Sequence, residues 1–130
     1  MNDINKVTEL TRRYNNLTHL ECDGLTRVLH TVLTDANVGH LVCLGKVSYS
    51  GHLPDERSLV EPHLWIELGS DSEGLLVVDY RLRMWLGEYP TVPHGVFNPV
   101  EYEPIVEYHG EPIALPLLNK AVFLFMTDPA

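Results

Sequence analysis

The chain has 130 residues, 45% of them hydrophobic and 21% charged, with a formal net charge of −9. That length and composition predict one ordinary globular domain over residues 1–130. The acidity argues against nucleic acid, where affinity comes from Lys and Arg on phosphates, and against an anionic membrane surface. No apolar run approaches the roughly eighteen residues a membrane helix needs. The start, Met1-Asn2-Asp3-Ile4-Asn5-Lys6, lacks the apolar core of a signal peptide. The expected location is therefore the cytoplasm.

Two cysteines, Cys22 and Cys43, are present. A disulfide is disfavoured in a reducing compartment, and two cysteines alone do not make a structural zinc site. The histidines show no His-x-His or His-Glu-x-x-His spacing, and no phosphate-cradling glycine motif occurs, so neither metal nor cofactor is expected. From Met84 onward Lys120 is the sole Lys or Arg, against Glu88, Glu101, Glu103, Glu107, Glu111 and Asp128. This acidic C-terminal part reads as a solvated face, and it leaves open a basic partner.

In chain order, Ile4, Val7, Leu10 and Tyr14 recur at helical spacing and predict a helix over 3–15, capped by Asn2 or Asp3. Leu25, Val28, Leu29, Val32, Leu33 and Ala36 form one apolar stripe of a second helix. Cys22 falls on that stripe at its start, Thr18 or Asp23 is its expected cap, and Asn37-Val38-Gly39 stops it. His40–Ser50 reads as a strand, 51–62 as a loop, His63–Leu68 as a strand, 69–74 as a turn and Leu75–Tyr80 as a strand. The last two strands predict an antiparallel hairpin. Leu82–Leu86 reads as a short helical turn. Residues 87–104, with Pro90, Pro93, Pro99 and Pro104, read as a long irregular excursion of the kind that often walls a site. Ile105–Tyr108 and Ala121–Met126 read as strands. The fold class is α+β, with N-terminal helices packed on an antiparallel sheet.

Nucleophilic thiol chemistry needs a cysteine presented as thiolate, a histidine as base and acid, and a third polar group to orient that histidine. Cys22 opens a helix, where the helix dipole favours an anion. His63 opens a strand, and Asp79 interrupts the apolar run Leu75-Leu76-Val77-Val78. An acid buried there is costly unless paired, and a histidine across the hairpin would pair it.

These segments, Glu21-Cys22-Asp23-Gly24-Leu25, His63-Leu64-Trp65-Ile66-Glu67-Leu68 and Leu76-Val77-Val78-Asp79, together resemble the transglutaminase-like (papain-like) cysteine superfamily. The resemblance covers residues 18–82. It implies a papain-like core, with Cys22 as nucleophile, His63 as base and Asp79 as orienting acid. It further implies a hydrolase or acyl transferase acting through an acyl-thioester on a peptide, protein or small amide. Tyr80-Arg81 departs from the family pattern after the Asp and leaves the substrate pocket unassigned. The segment Glu21–Leu25 also resembles bacterial cell-wall peptidases, without the Gly-Asp segment those place before the histidine strand. A catalytically idle binding module on the same fold is the alternative class. Trp65, on the His63 face, either walls the cleft or fills the core. Pro93-His94-Gly95-Val96-Phe97 is either a lid tip that brings His94 to substrate or a plain turn.

Overall fold

The computed structural model describes residues 3–53, 56–70 and 74–128. The first helix, α1 (Ile4–Thr11), begins at Asp3, whose carboxylate accepts the Asn5 N–H. It is shorter than the spacing predicts, because Arg12–Asn16 tighten into a 3-10 turn. The second helix, α2 (Cys22–Asp35), buries Leu25, Val28, Leu29 and Leu33. Neither expected cap closes its start. Glu21 holds the cap position without a side-chain bond, and Asp23 accepts the following Gly24 N–H instead.

The strands are β1 (Leu41–Leu53), β2 (Glu56–Ser70), β3 (Gly74–Asp79), β4 (Gly95–Phe97) and β5 (Val106–Ile113). They form one antiparallel sheet in the order β4-β3-β2-β1-β5. The predicted hairpin is present, running from Ile66 opposite Val78 to Ser70 opposite Gly74. Its tip, 71–73, lies outside the described residues. The expected loop over 51–62 is a correction. Apart from 54 and 55, which are not described, this stretch is strand. Val60, Leu59 and Ser58 pair with Val47, Ser48 and Tyr49 of β1. Pro62 sits in a β-bulge. Gly45 pairs with His63 and Val47 with Val60, so Glu61 and Pro62 together oppose Lys46. A proline is tolerated there because no ladder N–H is required of it.

The strand predicted over Ile105–Tyr108 is longer, running on through Pro112 to Ile113, because β5 is an edge strand with a free side for a residue that cannot donate. One other reading is corrected. Residues 121–126 are not a strand; they belong to the helix α4 (Lys120–Thr127). Asn119 caps it by accepting the Val122 N–H at 2.9 Å. Phe123, three residues before Met126, lies edge-on to Tyr14. An apolar run this short does not declare its period, and the cap residue decided it. The short helical turn over Leu82–Leu86 is present as α3.

The sheet is covered on both faces. Val42, Ile66, Leu68, Leu76 and Val78 meet the stripe of α2 and Val7 of α1. On the other face Val47, Tyr49, Val60, Trp65, Val77 and Phe97 are closed by Leu82, Leu86 and Val92. The C-terminal segment is tied to α2 by polar bonds. His30 Nε2 donates to the Leu115 carbonyl at 2.8 Å, and its Nδ1 lies 2.7 Å from His40 Nε2. Among the described residues no helix is long and apolar enough to cross a membrane.

Candidate active site

Asp79 is the last residue of β3, while β2 continues well beyond it. Extending the observed register places Trp65 opposite Asp79. His63 is therefore one diagonal step past the end of β3, not directly opposite Asp79 as the simple hairpin predicted. Diagonal neighbours on one face remain within reach of long side chains. The bulge at Glu61–Pro62 lies immediately before His63, a position from which bulges re-aim side chains.

His63 is completely buried, and its Nε2 lies 2.7 Å from Asp79 Oδ2. The carboxylate receives two further donors. Tyr108 donates its hydroxyl to Oδ2 at 2.8 Å, and the Arg81 backbone N–H donates to Oδ1 at 3.0 Å. An acid in an apolar strand is thus satisfied on both oxygens, which removes the cost of burying it.

With Nε2 committed to Asp79, the Nδ1 edge of His63 is free for another group. Nδ1 is buried and makes no fully formed hydrogen bond. Cys22 nonetheless lies close enough to interact with the ring and to raise its pKa. The contact is looser than a formed bond, as thiol–imidazole pairs often are without substrate. Burial alone lowers the His63 pKa. The charge and hydrogen bond of Asp79, helped by Cys22, outweigh that and raise it from 6.5 to about 10. Cys22 itself is partly exposed, unlike Cys43, which is buried. Burial and the neighbouring Glu67 push the Cys43 thiol up to about 12.

The structure therefore brings Cys22, His63 and Asp79 together. Trp65 is 1% exposed and forms the floor beneath His63, with the two rings stacked at 6.2 Å. Its indole N–H donates to Glu67 at 2.9 Å. It fills the core rather than walling an open cleft. His94 is exposed and lies edge-on to Tyr80 at 5.3 Å, lining a surface cavity. Partial burial of its ring and the neighbouring Arg83 lower its pKa.

Two residues that the sequence reading gave no role complete the arrangement. Tyr108 packs edge-on against Trp65 at 4.9 Å and holds Asp79 from β5. Burial and Asp79 raise its pKa, so it stays a donor. Arg81 is almost wholly buried, and its fork spans the segment that leads into Cys22. Nε donates to the Leu20 carbonyl at 2.6 Å, and Nη2 to the Leu17 and Asn15 carbonyls at 2.9 and 3.2 Å. Nη1 adds a bond to Asn15 Oδ1 at 2.9 Å. One residue thus ties the backbone two positions before the thiol to the backbone two positions after the carboxylate. The signal in the sequence was an Arg directly following an apolar strand, which must find acceptors if buried. Among the described residues no group of three potential metal ligands comes together. Compared with known proteins, the chain matches no family model, no curated protein and no solved structure.

Proposed function

We propose that the protein is a cysteine-nucleophile amide hydrolase or acyl transferase of the transglutaminase-like kind. The observation that carries this reading is the buried His63. It is committed to Asp79 through Nε2, its Nδ1 has no formed hydrogen bond, and Cys22 lies close enough to interact with the ring. In this reading the thiol proton rests on His63, and the Cys22 sulfur attacks the carbonyl carbon of an amide. The oxyanion so formed is met by the N–H of Cys22, a first-turn amide without an intrahelical acceptor. His63 then gives its proton to the leaving amine, and an acyl-thioester remains on Cys22. Water or a second amine, deprotonated by His63, attacks the thioester and releases the acyl product. Asp79 orients the ring throughout.

The test is the rate of Cys22 alkylation by iodoacetamide as a function of pH, in a Cys43→Ser background. The expected result is fast labelling well below pH 8 that is lost in His63→Ala. Labelling that rises only near the titration of an ordinary thiol, about 8.5, and is indifferent to His63→Ala would leave a binding module without thiol chemistry.

A further inference from the structure

A cavity of about 500 Å³ lies beside the catalytic segments, within the range of small-molecule sites. Asn15, Asn16, Thr18, Arg81, Arg83 and His94 line it, together with the exposed Glu88. Two chain connections bound its distance from the thiol. Thr18 is four residues before Cys22, a span of at most roughly 14 Å, and Arg81 follows Asp79 by two. Arg81 forms a shared wall, holding the Leu20 carbonyl while it lines the cavity.

The guanidinium of Arg81 is saturated by its carbonyl acceptors. Arg83 is different. Its Nε donates to the Val92 carbonyl at 2.9 Å, which fixes the plane of the group. Its Nη1 lies 3.7 Å from Glu88, whose side chain is 86% exposed. A pair that long, with one partner in water, holds weakly. The cavity thus gathers two arginines against one glutamate on a chain whose net charge is −9. An arginine of fixed orientation recognises a planar carboxylate through paired N–H donors.

We propose that this cavity is the specificity site for a carboxylate-bearing substrate, with Arg83 as the residue that takes the carboxylate while the scissile carbonyl lies at Cys22. The assignment rests on the reading of Cys22 as nucleophile. The substrate class is then an acidic peptide segment or a small amide carrying a free acid, within the span set by Thr18 and Cys22. Asn15, Asn16 and Thr18 supply polar contacts along that span.

The probe is a matched pair of thiol reagents, 6-maleimidohexanoic acid and its neutral N-methyl amide, reacted with Cys22 in the Cys43→Ser background. The acid is expected to label about tenfold faster than the amide, as one charge-assisted contact allows. In Arg83→Gln, shown folded by circular dichroism, that ratio falls toward one, and succinate added to wild type slows the acid reagent selectively. A wild-type ratio near one, or a ratio that survives Arg83→Gln, overturns the cavity assignment. Failure of the nucleophile reading shows separately, as labelling indifferent to His63→Ala with both reagents. If neither reagent labels, succinate titration followed on the NMR signals of His94 and Thr18 decides. Saturable shifts that vanish in Arg83→Gln support the site, and their absence in wild type removes it.

Discussion

His63 is shut off from water and still holds its proton into the alkaline range, because Asp79 answers it at 2.7 Å. The folded pKa, about 10, lies above the ordinary 6.5. The fold therefore binds this proton more tightly than the unfolded chain does. The resulting stabilisation is fully present below about pH 6.5, shrinks as the pH rises, and is lost above about pH 10. Thermal unfolding from pH 6.5 to 10 should show a melting temperature that falls more steeply in wild type than in His63→Gln. Parallel curves would mean that His63 is not the group responsible.

At the scale of elements, the site depends on how closely β5 approaches β1 and β2. The indole of Trp65 lies over Gly110, where an added Cβ would stand 2.5 Å from the ring and 2.7 Å from the Leu44 carbonyl. Gly45, opposite His63, is pressed as closely against the His109–Gly110 backbone. These glycines let β5 come near enough for Tyr108 to reach Asp79. Gly110→Ala should cost about 1–3 kcal/mol by overpacking, read in urea unfolding. It should also slow Cys22 alkylation, because the floor beneath His63 must shift. A variant with unchanged stability and reactivity would show that β5 does not support the site.

Across the whole molecule, β2 is shared by the two layers of core. Ile66 and Leu68 face the helices, whereas Val60 and Trp65 face the opposite layer. A strand that serves both layers links their unfolding, so the transition should be cooperative. Near-UV circular dichroism, which senses the buried Trp65, and far-UV circular dichroism, which senses the helices, should melt at the same temperature. Separate midpoints would mean that the layers come apart independently.

What was legible in the residues was local. The stripe of α2 with Cys22 at its head, and the β2–β3 hairpin with His63 and Asp79 at its mouth, follow from periods of 3.6 and 2 that each segment carries within itself. The α+β class follows from the same patterns. The sheet order, the bulge before His63 and the helix over Lys120–Thr127 depended on partners distant in the chain or on a single cap. Tyr108 and Arg81 could not be assigned from spacing, since Tyr108 lies 29 residues from Asp79 and Arg81 binds Leu20 across 61. By itself, the sequence determined on which elements Cys22, His63 and Asp79 ride. Only the tertiary structure decided that His63 meets Asp79 on the diagonal, that Trp65 is floor rather than wall, and which residues hold the carboxylate. The physical reason is that a buried polar group must be paired, and in a folded chain the partner is chosen by packing rather than by proximity in sequence.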